Sequence, residues 1–151
     1  MTAPSTPFAL PQTLASDLEQ VKAYWKGLLR GDAEMPFADD LSLEALPEHA
    51  PGLALLEVFT LPERFRFEYI GGDLAADQAK QLGDMFLDDV NLHFPFEYMR
   101  AQASAAVESG APNYYSHAAN AGENKPAYER LILPLWGDGH TSLLLVAVSR
   151  S

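Results

Sequence analysis

The stretch RLILPLWGDGHTSLLLVAVSRS, residues 130–151, decides how this chain folds. Two apolar runs, 131–136 and 143–148, flank an Asp-Gly pair at 138–139. An Asp-Gly pair between apolar runs is typical of a two-residue β-hairpin turn. Because both runs are apolar without alternation, both faces of these strands must be covered. The stretch therefore predicts a β-hairpin in a sheet that is covered on both faces.

The same stretch contains Asp138, His140 and Ser142, the three residue types of a hydrolase triad. In an extended chain these alternate positions face the same way, side by side, without the serine-to-histidine-to-carboxylate relay that a triad needs. No G-x-S-x-G motif is present to expose a nucleophilic serine. We interpret the three residues as part of a turn and predict that the protein is not an enzyme.

Two further strands are predicted upstream, at 53–59 and 64–72. In the second strand, Phe65, Phe67 and Tyr69 alternate with charged residues, which predicts that all three rings lie on one buried face. A short loop between the strands sets the register of this first hairpin, with three predicted pairs: Glu57–Arg66, Leu56–Phe67 and Val58–Phe65.

An amphipathic helix is predicted over residues 13–31. Its apolar residues recur at steps of three and four and form one stripe: Leu14, Leu18, Val21, Trp25 and Leu28. Ser16 and Glu19 have the spacing of a capping box, and Gly31 is a typical stop. The stripe must be buried, either on the chain's own sheet or against a second copy. We predict a homodimer and take the stripe as the candidate docking surface.

The remaining segments complete the order of the elements. Residues 1–12 are rich in proline and predict a flexible arm. A weak helix at 73–83 precedes a short helical turn and a loop, a firmer helix ends at Gly110, and a strand follows at 111–119. The predicted fold class is α+β, with the N-terminal helix packed beside one domain over residues 32–151.

The composition of the chain limits the partners and cofactors that we expect for it. The formal net charge is −11, so phosphate backbones and anionic lipid surfaces would be repelled, and we expect no nucleic-acid and no membrane partner. The absence of cysteine excludes disulfides, thiolate nucleophiles, cysteine-ligated zinc and a cysteinyl-flavin. The first residues lack the pattern of a signal peptide, and the run 143–148 is too short to cross a bilayer. We predict a cytoplasmic protein.

Histidine offers another route to a cofactor. His93, His117 and His140 are candidate haem ligands, and His93 lies among aromatic residues where helices should cover the sheet. A lone histidine beside aromatic rings is more often a packed or surface residue, so haem is disfavoured. No His-x-His or His-x3-His spacing is present, and we predict no metal site.

The chain is rich in aromatic residues, and the simplest interpretation of most of them is core packing. The alternative is that some line a small apolar pocket for a metabolite or chromophore, where a tyrosine hydroxyl offers a polar contact. The candidates for such a ligand pocket are Phe67, Tyr69, Phe94 and Tyr114.

Short motifs follow one another along residues 20–149. The first part holds a Tyr-Trp pair, an Arg-Gly pair, a proline and a Leu-Pro pair before the first strand: Tyr24, Trp25, Arg30, Gly31, Pro36, Leu46 and Pro47. The second part holds the two strands with their glycine and an R-x-x-L-P-L…D-G hairpin: Leu55, Leu56, Val58, 64–69, Gly71, Arg130, Leu133, Pro134, Leu135, Asp138 and Gly139. The set resembles a family of small bacterial proteins with one PAS-like domain behind an N-terminal helix. The chain departs from that family at 71–86, which lacks a G-T…L-T-G-R segment.

The resemblance implies a five-stranded antiparallel sheet with short helices on one face, a space between sheet and helices, and dimerisation through N-terminal helices. It also implies a stand-alone sensory or signalling module, because similar proteins carry no output domain in the same chain. Such a module would bind a small ligand, a partner signalling protein or both, without catalysis. Fold alone does not assign this function.

Two other functions stay open. One is a small enzyme on a cone-shaped α+β scaffold, with a carboxylate base and a tyrosine in an apolar pocket. The other is an interaction protein whose own side chains fill the pocket. The order of elements disfavours the enzyme, because such cones open with a long helix layer before most of their strands.

Overall fold

A computed structural model describes residues 8–60, 62–72, 74, 85–89, 96–117 and 128–149. Within these ranges the α-helices are α1, Ser16–Gly27, and α2, Met99–Ser109. Five strands are present, and they match the predicted positions closely: β1 Leu53–Phe59, β2 Arg64–Ile70, β3 Asn113–His117, β4 Tyr128–Gly137 and β5 His140–Ser149. Short 3-10 turns lie between them at Ala38–Asp40, Leu43–Ala45, Ala50–Gly52 and Leu87–Asp89.

The strands form one antiparallel sheet in the order β2-β1-β5-β4-β3, and the predicted hairpin β4–β5 lies at its centre. Gly137 pairs with His140, so the turn between them has two residues. Asp138 and Gly139 both have positive φ, 54° and 85°, which a tight turn with the right-handed twist of the strands requires. The predicted hairpin and its turn are confirmed.

The first hairpin has the predicted register over its outer half. Glu57 pairs with Arg66, and the two inner pairs of the prediction are also present: Leu56–Phe67 and Val58–Phe65. A bulge follows, because Leu55 pairs with Tyr69 rather than with Glu68. One extra residue in a strand reverses the face on which later side chains lie. The prediction that Tyr69 shares a face with Phe65 and Phe67 is therefore wrong.

The sheet is covered on both faces, as the two apolar runs predict. On the α2 face, one apolar cluster joins α2 to strands β1, β2, β4 and β5. It includes Leu56, Phe65, Phe67, Phe96, Met99, Ala103, Ile132, Leu144 and Val146. On the α1 face, α1 packs on strand residues that alternate with those of the α2 face. They include Leu53, Leu55, Leu131, Leu133, Leu135, Leu143 and Leu145. The helix that covers the second face belongs to the same chain.

Helix α1 is shorter than the predicted 13–31. It begins after Ala15, and Ser16 is the first helical residue, where its hydroxyl accepts a bond from the Gln20 amide at 3.3 Å. The predicted capping box is wrong, because the N-cap is Ala15 instead of Ser16 and no capping hydrogen bond from a side chain is formed there. The helix ends at Gly27, so Leu28 falls outside the helical periodicity and outside the apolar clusters.

Segments outside the sheet cover parts of its edge. Strand β3 reaches only as far as Ile132 on β4, so Pro134, which cannot donate a backbone hydrogen bond, lies past its end. There the Trp25 indole Nε1–H donates to the Pro134 carbonyl at 2.8 Å, and the Trp136 N–H donates to the Pro36 carbonyl at 2.8 Å.

The predicted arm, 1–12, is described only from Phe8 onward. The Phe8 carbonyl accepts a bond from the Tyr114 N–H at 2.9 Å, so this part of the arm docks on the outer edge of β3. The predicted weak helix at 73–83 lies, apart from Leu74, outside the described residues. Helix α2 ends as predicted, with Gly110 in the left-handed conformation at φ 66°.

Candidate functional site

The four residues predicted to line a ligand pocket do not share one face of the sheet. Phe67 is fully buried on the α2 face, where its ring lies 5.2 Å from the Phe96 ring. Tyr69 and Tyr114 pack at the margin of the α1 face. Phe94 lies outside the described residues. The structure therefore does not bring Phe67 together with Tyr69 and Tyr114. The bulge in β2 is the reason why Tyr69 lies on the other face.

The hydroxyls of Tyr69 and Tyr114 both have partners within the chain. Tyr69 donates to the Ala50 carbonyl at 3.0 Å, and Tyr114 donates to Glu129 Oε1 at 2.5 Å. Burial, together with the bond to Glu129, raises the pKa of Tyr114 to about 12. These hydroxyls are occupied in fixing strands and turns to each other.

A buried polar cluster lies on the α2 face, where helix α2 crosses β3 and β4. We call it the Arg130 cluster; its members are Glu97, Gln102, Asn113, Tyr128 and Arg130. The Arg130 side chain is fully buried, and it donates from Nε to Gln102 Oε1 at 2.6 Å and from an Nη to the Glu97 carbonyl at 2.8 Å. The guanidinium therefore joins β4 to the helix and to the segment that leads into it.

Gln102 and Asn113 complete the cluster with a reciprocal pair of bonds. The Gln102 amide donates to Asn113 Oδ1 at 3.0 Å and to the Arg130 carbonyl at 3.2 Å, and the Asn113 amide donates to the Gln102 carbonyl at 2.9 Å. Because a buried polar group without a partner costs free energy, such bonds hold the helix in one position on the sheet.

The charge of Arg130 is retained despite its burial. Burial lowers the pKa of Arg130 to about 10, which still leaves the guanidinium protonated near neutral pH. It lies 4.9 Å from the ring centroid of Tyr115 and 5.8 Å from that of Tyr128, distances at which aromatic faces attract a cation. The Tyr128 hydroxyl donates to Glu97 Oε1 at 2.7 Å, and burial followed by this bond raises the pKa of Tyr128.

The sequence contains a pattern that indicates this cluster, although the cluster was not among the predicted sites. Tyr128, Arg130 and Ile132 alternate in a strand that is otherwise apolar, and Arg130 opens the R-x-x-L-P-L motif. Alternation places the three side chains on one face. Its partners, Glu97 and Gln102, lie far away in sequence, and only the packing of α2 brings them to Arg130.

Asp138, His140 and Ser142 occupy the tip and the start of the β4–β5 hairpin, as predicted. His140 Nδ1 lies 3.4 Å from the backbone carbonyl of Asp138 rather than from its carboxylate. Asp138 is exposed at the turn. The arrangement is that of a turn, because the relay of side chains that a triad requires is not formed between these residues.

Of the three candidate haem ligands, His140 has a described side chain. His140 is half-buried at the hairpin, His93 lies outside the described residues, and the same is true of the side chain of His117. In the described part of the chain, no group of three or more histidine, aspartate or glutamate side chains could hold a metal ion.

The stripe of α1 is buried on its own sheet. Leu14, Leu18, Val21 and Trp25 belong to the α1-face cluster, and Leu29 packs there in place of the predicted Leu28. Of the two predicted alternatives for this helix, the structure has the one in which it folds back on the chain's own sheet. These side chains are therefore not free to form a dimer contact while α1 is docked.

A concave surface lies beside the tip of the β4–β5 hairpin. This tip groove encloses about 300 Å³ and is lined by Ala33, Glu34, Met35, Phe37 and Trp136. Phe37 and Trp136 are 42% and 36% exposed, which is high for such large apolar side chains. A second, larger concavity of about 610 Å³ lies between α2 and the docked arm, with Phe8, Ala105, Glu108 and Pro112 among its lining residues.

No protein-family model matches this sequence, and searches of curated proteins and of solved structures give no significant match. Among the helices of the described residues, none combines the length and the apolar character needed to span a membrane.

Proposed function

We propose that this chain is a PAS-type sensory or interaction module that acts by binding and not by catalysis. The observation that carries the proposal is the layered arrangement: a five-stranded antiparallel sheet with α2 and the Leu87–Asp89 turn on one face, and the N-terminal helix with the turns at 38–46 on the other. The chain order of strands and helices is the one that the resemblance to PAS-like proteins implies. Binding is the activity that this architecture supports best.

The Arg130 cluster supports a role in which helix α2 holds a defined position on the sheet. Its bonds are directional and buried, so a displacement of α2 would break several of them together. Sensory modules need an element with discrete positions that a ligand or partner can favour. In this chain α2 is the helix whose position a buried cluster of polar side chains specifies.

The tyrosine–carboxylate pairs argue against the enzyme alternative. Tyr114 with Glu129, and Tyr128 with Glu97, are the residue types that a carboxylate-and-tyrosine site would use. A general acid or base works best when its pKa lies near the operating pH. The pKa values of both tyrosines are instead raised, away from neutrality. The pairs therefore support a structural role.

A homodimer, a partner signalling protein and a small-molecule ligand are parts of the same proposal. Because the α1 stripe is occupied by the chain's own sheet, a homodimer would use another surface or exchange α1 between copies. An interaction protein with a filled core is the nearest alternative, and it differs from the proposal only in lacking a small ligand.

Native mass spectrometry of the freshly purified full chain tests the proposal. We expect a mass above that of the bare monomer, from a retained small molecule or from a dimer. A bare monomer at all concentrations would favour the filled-core alternative. Hydrolysis of p-nitrophenyl acetate that is lost in Tyr114→Phe or Tyr128→Phe would overturn the non-catalytic assignment.

A further inference from the structure

The tip groove has the features of a docking site for another protein. We propose that it binds a basic segment of a partner protein, which inserts an apolar side chain between Phe37 and Trp136 and places its cations near the surrounding carboxylates. This inference rests on the proposed interaction function and names the chemistry of the partner. Three properties of the groove carry it: its apolar lining, its charge and its rigid base.

The apolar lining is contiguous. Phe37 and Trp136 are paired by a backbone bridge, so their exposed side chains belong to neighbouring chain segments, and Met35 and Ala33 extend the surface between them. Exposed apolar residues that occur singly are ordinary, whereas a concave group of them marks an interaction site. Exposed aromatic residues are also the type that most often dominates protein interfaces.

The charge around the groove is negative. Five carboxylates lie on the segments that build it, at Asp32, Glu34, Asp39, Asp40 and Asp138. Arg30 is the cation of these segments, and it is held by Asp40 through two bonds of 2.9 and 2.7 Å, with its guanidinium 5.4 Å from the Phe37 ring centroid. Glu34 lines the groove itself and is exposed. Such a rim attracts a segment that carries lysine or arginine.

The same charge argues for a different protein as the occupant rather than a second copy. The whole chain carries −11, so two copies meeting at this groove would bring acidic surfaces together. Like charges across an interface oppose association and select against wrong partners. A basic segment relieves this repulsion.

The base of the groove is rigid. The Trp136 N–H donates to the Pro36 carbonyl at 2.8 Å, and Met35 Sδ accepts from the Thr141 hydroxyl at 3.6 Å. The groove is therefore held open before a partner arrives, and a preformed site loses less conformational freedom on binding.

The test uses the full chain and two fluorescein-labelled synthetic peptides. The first has a central Leu-Leu pair flanked on each side by Lys-Arg-Lys, and the second is identical except for Ser-Ser at the centre. Fluorescence anisotropy is measured at physiological ionic strength, where long-range attraction is screened. We expect the leucine peptide to bind at least about tenfold more tightly than the serine peptide, the change that one well-buried apolar anchor gives.

Variants of the protein locate the binding site. Trp136→Ser and Glu34→Lys should each weaken binding of the leucine peptide by about fivefold or more. The control is Glu68→Lys, an equal charge change at an exposed position of β2, at the opposite edge of the sheet, and it should leave binding unchanged. Far-UV circular dichroism melting shows whether each variant is folded. Because Glu34 is exposed, Glu34→Lys keeps the test valid even if Trp136→Ser unfolds.

Two outcomes would overturn the inference. One is equal binding of both peptides with no effect of Trp136→Ser, which would show attraction by net charge alone. The other is a dimer in sedimentation experiments that Trp136→Ser dissociates, which would make a second copy the occupant. If one of these two outcomes occurs while native mass spectrometry of the same preparation shows a retained ligand, the inference fails and the proposed function stands.

Discussion

The two faces of the sheet are covered by helices that are held in different ways. Helix α1 packs through an apolar stripe, with the Trp25 indole bonded to the Pro134 carbonyl at 2.8 Å. Helix α2 also packs through apolar residues, but it carries Gln102 into a buried cluster with Asn113 and the charged Arg130. The α1 face is held mainly by the burial of apolar surface, whereas the α2 face is also held by a cluster of directional hydrogen bonds.

The position of each helix is specified to a different degree. Apolar burial is roughly proportional to area and has little directional preference, so it specifies the position of α1 less closely than the polar cluster specifies that of α2. A buried guanidinium tolerates few arrangements. Removing one of its partners leaves a buried charge unpaired and costs about 3–5 kcal/mol of stability. The α2 face therefore gains specificity where the α1 face gains stability.

The largest effect is expected from removing α1. Deletion of residues 1–30 exposes the apolar residues of the α1 face, including Leu131, Leu133, Leu143 and Leu145. We expect aggregation or loss of soluble protein, since a large exposed apolar surface associates non-specifically. Size-exclusion chromatography of the truncated chain is the measurement. A soluble, folded truncation would show that α1 is not needed to cover this face.

The second largest effect is expected from removing the buried charge of Arg130 on the α2 face. Arg130→Met keeps much of the side-chain volume but removes the donors to Gln102 and to the Glu97 carbonyl. We expect a loss of about 3–5 kcal/mol in the free energy of unfolding, because buried acceptors are left without partners. Urea denaturation measures it. Arg100→Met, the same change at an exposed position of α2, is the control and should stay within about 0.5 kcal/mol.

A stable Arg130→Met variant would contradict the contrast between the two faces. It would mean that apolar packing alone holds α2, as it does α1. Some buried ion clusters can be replaced by apolar residues without loss of stability, so the result decides between the two interpretations.

A smaller effect is expected at the indole bond of α1. Trp25→Phe keeps an aromatic ring in the stripe and removes the donor to the Pro134 carbonyl. The expected loss is about 1–3 kcal/mol, the cost of an unpaired buried acceptor with some lost packing. Trp136→Phe is the matched control, because Trp136 is 36% exposed. Equal losses in the two variants would show that the indole bond contributes nothing specific.

The smallest effect is expected at Tyr114. Its pKa is raised from 10 to about 12, so the stabilisation by its bond to Glu129 is present below pH 10 and is lost as the pH rises through 12. Tyr114→Phe should lower the free energy of unfolding at neutral pH by about 0.5–1 kcal/mol, a small value because the group is partly exposed.

Spectrophotometric titration of the tyrosines measures the pKa directly. In the wild-type protein both Tyr114 and Tyr128 should ionise late, and Tyr114→Phe should remove the step with a pKa of about 12 and leave that of Tyr128. Tyr98→Phe, at an exposed position, is the control for stability. If Tyr114→Phe leaves the late part of the titration unchanged, the assignment of that group to Tyr114 is wrong.

Several features of the fold could be predicted from the residues because they depend on short-range patterns. The strands, the Asp138-Gly139 turn and the outer register of the first hairpin follow from alternation and from turn chemistry. The covering of both sheet faces followed from two apolar runs without alternation. The stripe of α1 was also correct, apart from Leu28.

The misplaced residues have local causes that a periodic pattern does not contain. The bulge at Glu68 turns Tyr69 to the α1 face, and the end of the helix at Gly27 removes Leu28 from the stripe. The bulge therefore separates Tyr69 from Phe67, and Tyr114 is also on the α1 face, so these three pocket candidates do not lie together. Bulges and helix ends respond to packing, so strict alternation does not reveal them.

Short-range patterns were enough to locate the strands, the turn of the β4–β5 hairpin and the covering of both sheet faces, because these properties depend on residues a few positions apart. The contacts of Arg130 with Gln102 and Glu97, and the pairing of Phe37 with Trp136, are visible only in the packed fold. These contacts join residues far apart in the chain, and they form only when whole elements pack and every buried polar group must find a partner.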